Sequence, residues 1–153
     1  MLKANFITAQ EAAEKIQDGS TLCTIGMTLV SASESILKAI EKRFETVGHP
    51  ADITLVHSCG QSDRKDGIQH LAHEGLVKRI VGSHWGLQPR WMEMIANSQV
   101  EAYCLPQGQI AQLYRSMACG LPGKMTKVGL GTFIDPRVEG GKMNDRTKPL
   151  PDI

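Results

Sequence analysis

Apolar runs of strand length alternate with segments of helical periodicity along most of this chain, and this alternation constrains its fold most strongly. The strand-like runs cover residues 21–26, 53–57, 77–81, 101–105 and 126–131. Strands that alternate with helical segments are typical of βαβ units, in which helices cover the faces of a parallel sheet. We therefore predict an α/β fold with an open, mostly parallel sheet flanked by helices.

Several helix boundaries are marked by residue type. Thr8 with Glu11, and Ser31 with Glu34, have the spacing of a capping box. Gly48-His49-Pro50 predicts the end of the second helix, because proline cannot continue it. Two helical turns are expected over residues 68–74, a helix beginning at Pro89 and another ending at Gly120.

The size and charge of the chain exclude some classes of function. Its 153 residues fit one domain, which we assign to residues 1–136. Residues 137–153 have no periodicity and form a predicted C-terminal arm that needs a surface to lie against. The net charge is +1, without a run of like charges, which argues against nucleic acid as a partner.

Cysteine spacing and hydropathy indicate a protein of the cytoplasm. No CxxC pair is present, and we predict that the thiols are reduced and buried. The cysteines are Cys23, Cys59, Cys104 and Cys119. The segment Met1 to Phe6 lacks a signal-peptide apolar block, and no apolar run approaches the roughly 18 residues that cross a bilayer, so no membrane partner is expected.

Ligands of open parallel sheets bind at the carboxyl ends of the strands, so the turns after the strands are candidate sites. The turn from Gly26 to Ser31 offers free amides at a helix start, suited to an anion or a polarised carbonyl. An ordinary loop in which Ser31 only caps the helix is the alternative. The turn lacks the G-x-G-x-x-G spacing of dinucleotide folds, so no nicotinamide or flavin is inferred.

Two further turns are candidates. Pro106-Gln107-Gly108 is a predicted tight turn after the fourth strand, and the Gln107 carboxamide can donate a hydrogen bond without titrating. A surface turn that proline and glycine only shape is the alternative. Gly129-Leu130-Gly131, before Thr132 and Phe133, allows either close approach of a ligand or close packing of two elements.

The histidines and nucleophiles do not by themselves define a site. His70 and His73 share a helix face beside Glu74, but two histidines need a further metal ligand, so we expect solvated or capping side chains and no metal. His57 and His84 are interpreted as structural histidines. Ser58-Cys59 lacks both the G-x-S-x-G elbow and an evident base, which argues against a hydrolase.

Six segments of the chain resemble the family I coenzyme A-transferases, and the resemblance extends over most of residues 20–148. The specific part is the run Gly-Thr-Phe-x-Asp-Pro beside Gly-Gly-Lys-x-Asn. The segments are Gly60 to Gly67, Ala72 to Lys78, His84-Trp85-Gly86, Pro106-Gln107-Gly108, Gly129 to Arg137, and Gly140-Gly141-Lys142 with Asn144. The chain is similar to the N-terminal, α-subunit-like half of the propionate and acetate CoA-transferases. It departs from many members after the first strand, where Gly26 is followed by Met-Thr-Leu-Val-Ser instead of a glycine-rich loop.

The resemblance implies a fold of the type that CoA-transferases share with sugar-phosphate isomerases. It also implies transfer of CoA between a short-chain acyl-CoA and a carboxylate through a glutamyl-CoA thioester, with CoA as a substrate and no cofactor. Gln107 is then the donor to the oxyanion. The residues expected to bind substrate are Gly26, Thr28, Gly60, Gly108, Thr132 and Phe133.

The resemblance further implies that the nucleophilic glutamate belongs to the second half of the family's chain. No glutamate of this chain lies in a matching motif, so we expect the chain to end before the catalytic β-type domain and to be inactive alone. A separate β-type subunit or the remainder of a longer enzyme then completes the site. Self-association is expected as well, because apolar surface would otherwise be exposed. A non-catalytic acyl-CoA or small-molecule binding module and a sugar-phosphate isomerase relative are the alternatives.

Overall fold

Four of the strand-like runs pair side by side in a parallel sheet. The structure, a computed structural model, describes residues 4–153. The strands are β1 (Thr21–Thr24), β2 (Ile53–His57), β3 (Val77–Gly82) and β4 (Glu101–Cys104), and their order in the sheet is their order in the sequence. Every neighbouring pair is parallel. The predicted α/β fold is therefore confirmed.

Helices connect the strands and cover the sheet. They are α1 (Ala9–Glu14), α2 (Glu34–Val47), α3 (Pro89–Ala96) and α4 (Gln107–Ala118). A short 3-10 helix, Gly67–Leu71, replaces the two helical turns that were predicted over residues 68–74. The predicted helix start at Pro89 is confirmed.

The capping-box prediction is right at the first helix and wrong at the second. Glu11 N donates to Thr8 Oγ1 at 3.1 Å, and Thr8 N donates to Glu11 Oε2 at 2.7 Å. At α2 the capping position is Ser33, which makes no side-chain capping bond. Glu34 does not reach back to Ser31, because its carboxylate accepts a hydrogen bond from Gly67 N at 2.9 Å. A tertiary contact therefore takes the side chain that the local motif would use.

The main hydrophobic core lies between the sheet, α2, α3 and the 3-10 helix. Trp91 of α3 is fully buried in it, and its Nε1 donates to Ile68 O at 2.8 Å. Burying an aromatic side chain of this size stabilises the fold strongly, and its only polar atom is hydrogen-bonded. This packing fixes α3 and the 3-10 helix relative to the sheet.

The C-terminal arm lies against β4. Cys104 N donates to Gly141 O at 2.7 Å, and Met143 N donates to Ala102 O at 3.0 Å. Asn144 Nδ2 donates to the carbonyls of Ile95 and Val100 at 3.0 and 2.8 Å. The surface that this arm needs is thus the outer edge of β4, while the domain boundary at residue 136 stays a prediction.

Two other sequence predictions are wrong. Residues 126–131 form no strand, and residues 128–131 form turns, because Gly129 and Gly131 have φ values of +93° and +76°, which end an extended run. The cysteines are free as predicted but are not buried. Cys23 and Cys119 are exposed, since Cys23 lies on the edge strand β1 and Cys119 follows α4.

The prediction that no segment crosses a membrane can be compared with the structure over the described residues only. Among residues 4–153, no helix has the length and apolar character needed to cross a bilayer. The first three residues of the N-terminal segment, in which no signal-peptide block was found, lie outside the described residues.

Candidate active site

The loops that follow the four parallel strands meet at one edge of the sheet and are joined by hydrogen bonds. Thr28 N donates to Gly60 O at 3.0 Å, which links the loops after β1 and β2. Ser83 Oγ donates to Ser58 O at 2.5 Å, which links the loops after β2 and β3. Leu105 N donates to Gly82 O at 2.9 Å and so joins β4 to β3. The loops at the carboxyl edge are therefore linked to one another by hydrogen bonds.

The structure brings three of the predicted substrate-binding residues together. Gly26 and Thr28 lie in a tight turn closed by two hydrogen bonds between Met27 and Val30, of 2.9 and 3.1 Å. Gly26 has φ +142°, and a Cβ there would lie 2.9 Å from Val30 O, so this turn requires glycine. The direct bond from Thr28 to Gly60 then holds the turn against the loop after β2.

The prediction of a tight turn at Pro106-Gln107-Gly108 is wrong. Gln107 is the first residue of α4, and Pro106, in the capping position, has no side-chain donor or acceptor. Gln107 and Gly108 are both exposed. Within residues 4–153 the Gln107 carboxamide makes no hydrogen bond, so its donors are free at the carboxyl edge of the sheet.

Tyr114 fixes α4 on the sheet. Its hydroxyl lies 3.2 Å from Thr24 O and 3.3 Å from Val56 O, at the ends of β1 and β2. Burial raises the pKa of Tyr114 to about 12, so the hydroxyl keeps its proton and donates at neutral pH. Tyr114 lies two helical turns after Gln107, and the register of α4, including Gln107, is thus anchored to the sheet.

Thr132 and Phe133 lie on a separate exposed loop. Thr132 Oγ1 donates to Gly129 O at 2.6 Å, and Gly141 N donates to Phe133 O at 2.9 Å. A cavity of about 520 Å³ lies between this loop and α4. Apolar residues dominate its lining, among them Leu105, Ile110, Val128, Leu130 and Ile134, whereas Thr132, Phe133 and Gln107 do not contribute. The substrate-binding roles of Thr132 and Phe133 stay predictions.

Buried polar residues at the same edge were not selected from the sequence. His57 and Gln61 are fully buried at the end of β2 and in the loop after it, and Trp85 is 7% exposed in the loop after β3. Four atoms here have no hydrogen-bond partner among the described residues: Thr24 Oγ1, His57 Nε2, Gln61 Oε1 and Trp85 Nε1. Such atoms are uncommon in buried positions, and each calls for an explanation such as local strain, a bound water or ion, or a functional role. Gln61 and Trp85 lie in two of the segments that resemble the family, but only tertiary packing shows that these polar atoms are buried without a partner.

His57 is a neutral hydrogen-bonding group in this environment. Its Nδ1 lies 2.7 Å from Cys59 O, so Nδ1 carries the proton and donates. Burial lowers the pKa of His57 to about 4, and the bond to Cys59 only partly opposes this effect. His57 thus holds the start of the loop that contains Gly60 and Gln61.

We expect His57 to cause a loss of stability in acid. Its pKa is lower in the folded state than the ordinary value of about 6.5, so the unfolded chain binds a proton that the folded chain does not. Stability is therefore lost as pH falls below about 6.5, by about 2 kcal/mol at pH 5. His57→Gln keeps a donor for Cys59 O but does not titrate. Urea unfolding at about pH 7 and at about pH 5 should therefore show about 2 kcal/mol less loss of stability between the two pH values in this variant than in the unmodified chain.

The matched control is His84→Gln, which removes an exposed histidine from the neighbouring loop. Because the charge of His84 is the least of the causes that lower the pKa of His57, this variant should lose much less acid sensitivity than His57→Gln does. Equal acid sensitivity of the His57→Gln variant and the unmodified chain would show that His57 is not the buried neutral group described here.

A coenzyme A transferase family model matches residues 6–152. The chain belongs to this family. The chain is 43% identical over 145 residues to a caffeate CoA-transferase of Acetobacterium woodii, a match that covers 94% of the chain and 28% of that enzyme. It is 38% identical to the acetate CoA-transferase YdiF of Escherichia coli strain K12, covering 93% of the chain and 27% of YdiF.

A shorter relative and a solved structure agree with this assignment. The chain is 28% identical to one subunit of a probable succinyl-CoA:3-ketoacid coenzyme A transferase of Bacillus subtilis, covering 94% of the chain and 58% of that relative. The crystal structure of the YdiF apoenzyme from Escherichia coli O157:H7 superposes with a TM-score of 0.86 at 36% identity, covering 93% of the chain and 28% of that enzyme. This CoA-transferase chain is thus α-subunit-like, as the sequence resemblance predicted, and it spans about a quarter of the longer relatives.

Proposed function

We propose that this chain forms the α-type side of the active site in a CoA-transferase that moves CoA between a short-chain acyl-CoA and a carboxylate of the acetate or propionate class. The observation that carries the proposal is the family match over residues 6–152. The carboxyl edge of the sheet supports it, since that edge presents the loops of Thr28 and Gly60 together with the carboxamide of Gln107, which makes no hydrogen bond within residues 4–153.

The proposed reaction uses a glutamate that lies outside these 153 residues. Its carboxylate attacks the thioester carbonyl, the C–S bond breaks, and an acyl-glutamyl anhydride and CoA thiolate form. The thiolate attacks the glutamyl carbonyl, which releases the carboxylate product and leaves a glutamyl-CoA thioester. The acceptor carboxylate then reverses both steps. No net proton transfer and no metal or redox cofactor is needed.

Each step of this reaction passes through a tetrahedral oxyanion, and the start of α4 is suited to stabilise it. The carboxamide of Gln107 is a neutral donor that is not already hydrogen-bonded within the described residues. The amides at the first turn of a 12-residue helix add positive potential at the same end. We assign Gln107 the donor role and assign Gly26, Thr28, Gly60, Gly108, Thr132 and Phe133 to substrate binding.

A β-type subunit or domain is the proposed partner. Some relatives are single subunits by name, such as the alpha subunit of an acetate CoA-transferase of Escherichia coli, which suggests a heteromeric arrangement. The turn after β1 exposes Ile25, Met27 and Val30 at 65, 62 and 67%, an apolar surface of the kind that partners cover. We also propose that the isolated chain self-associates through this surface and that the enzyme works in the cytoplasm.

A chimera tests the function. This chain replaces the aligned part of the Acetobacterium woodii caffeate CoA-transferase, and transfer of CoA from acetyl-CoA or propionyl-CoA to a labelled carboxylate is measured. The proposal predicts transfer by the chimera and none by the 153-residue chain alone. Turnover by the chain alone would contradict the need for a second part, and a folded chimera without transfer would contradict the transferase role.

A further inference from the structure

His70 lies on the 3-10 helix and is held between two carboxylates of α2. Its side chain is only 13% exposed. Nδ1 contacts Glu41 Oε2, and Nε2 lies 2.8 Å from Glu34 Oε1. Ionised carboxylates accept hydrogen bonds and donate none, so both contacts are hydrogen bonds only when both ring nitrogens carry a proton. The geometry therefore fits the positively charged imidazolium.

Charged and titratable groups from the neighbouring elements contact this ring or its carboxylate partners. Asp66, from the loop before the 3-10 helix, lies 3.3 Å from His70 Nε2, and His73 Nε2 lies 2.9 Å from Glu41 Oε1. Lys38 of α2 lies 3.1 Å from Glu34 and 3.4 Å from Asp66. Arg90 of α3 lies 3.6 Å from Glu41. Glu45 of α2 lies near Glu41 and His73. The cluster thus has four carboxylates and only two permanent positive charges, those of Lys38 and Arg90. A positive charge on His70 reduces this excess of negative charge.

This cluster is connected to the loop that carries Gly60. Glu34, which binds His70 through Oε1, accepts a hydrogen bond from Gly67 N through Oε2 at 2.9 Å. Ile68 N then donates to Gln61 O at 2.9 Å. One end of the loop after β2 is thus held by the same carboxylate that binds the histidine.

We propose that His70 is a proton-dependent clasp, which in its charged form ties the 3-10 helix to Glu34 and Glu41 of α2 and so holds the Gly60 loop in place. Loss of the proton leaves one ring nitrogen facing a carboxylate without a hydrogen between them. The clasp then opens, and the loop between β2 and the 3-10 helix becomes more mobile. The proposal concerns the loop itself and holds whether or not the transferase function is correct.

The direction of the pH dependence follows from both partners. Burial disfavours the charged ring, but the bonds to Glu41 and Glu34 outweigh it and raise the pKa of His70. Its contribution to stability is full below about pH 6.5 and is lost as pH rises through the higher folded pKa. Burial of Glu41 favours its neutral form, but the hydrogen bonds from His73 and His70 outweigh this effect and lower the pKa of Glu41. The contribution of Glu41 to stability is therefore lost only as pH falls below about 4.3. The clasp is therefore closed from about pH 4.3 up to the raised pKa of His70 in the folded chain.

Two measurements on the 153-residue chain test the clasp. NMR of isotope-labelled histidine should show both His70 nitrogens protonated at about pH 6, with a midpoint above about 6.5. Hydrogen exchange of the Gly67 and Ile68 amides, corrected for intrinsic rates, should lose about tenfold in protection between about pH 6 and about pH 8.5. A neutral His70 at pH 6, or equal protection at both pH values, would overturn the proposal.

Variants separate the clasp from a general effect of pH. His70→Gln should show exchange protection that does not change between the two pH values. Glu41→Gln removes one carboxylate with little change in shape and should lower the His70 midpoint, which keeps the proposal testable if His70→Gln does not fold. His49→Gln is the control, because His49 pairs with Asp18 in an exposed position elsewhere and should leave the loop unchanged. Loss of the pH dependence in His49→Gln would contradict the assignment to His70.

Discussion

Gln107→Ala is expected to lower the kcat of the chimeric transferase by about a hundredfold. The carboxamide is the proposed donor to the oxyanion, and an interaction made mainly in the transition state affects kcat more than KM. Stability should be nearly unchanged, because the side chain is exposed and makes no hydrogen bond within residues 4–153. Steady-state kinetics and urea unfolding of the same samples separate these effects.

The matched control for this prediction is Gln112→Ala. Gln112 is an exposed glutamine of the same helix, and replacing it should leave kcat within about twofold, since surface substitutions away from special features change little. A loss of less than about threefold in Gln107→Ala, or equal losses in both variants, would contradict the donor role.

Gly67→Ala is expected to destabilise the chain by more than about 3 kcal/mol. Gly67 has φ +78°, and a Cβ there would collide with the backbone carbonyl of Gln61. Backbone atoms cannot move aside as the end of a flexible side chain can, so the loop carrying Gly60 must shift and the bond from Gly67 to Glu34 is lost. Urea unfolding at constant pH measures the effect.

Gly48→Ala separates the collision from the cost of the backbone conformation. Gly48 has φ +74°, but no atom lies within 4 Å of the position that a Cβ would take. This variant should lose only about 1 kcal/mol, the usual cost of a left-handed conformation for a residue with a side chain. Equal losses in the two variants would mean that the loop after β2 is not packed against Gly67 as described.

The fold was predictable because its signals are local. Strand-length apolar runs and the capping box of Thr8 each depend on a few neighbouring residues, and the structure confirms four of the five runs and the capping box. Two predictions from local patterns were wrong, the capping box of Ser31 and the tight turn at Pro106. The first fails because of a tertiary contact, and the second because proline is found both in turns and directly before helices. Glu34 binds Gly67 instead of the helix start, and the proline precedes a helix that begins at once.

The candidate site was less predictable, because its parts come together only in the folded chain. The family resemblance directed attention to Gln107 and Gly60, but the buried, unpartnered atoms of His57 and Gln61 follow from packing alone. The His70 cluster had a signal that was overlooked. Glu34 and Glu41 are seven residues apart and therefore lie on one face of α2, where a histidine can bridge them.

Detection of the covalent intermediate tests the central claim most directly, namely that the attacking carboxylate comes from outside this chain. The 153-residue chain and the chimera are each incubated with propionyl-CoA, quenched in acid and examined by intact-mass and peptide mass spectrometry. We expect a thioester-linked CoA adduct on a glutamate in the relative's part of the chimera and no adduct on the isolated chain. A thioester-linked adduct on any side chain of the isolated 153 residues would contradict the claim.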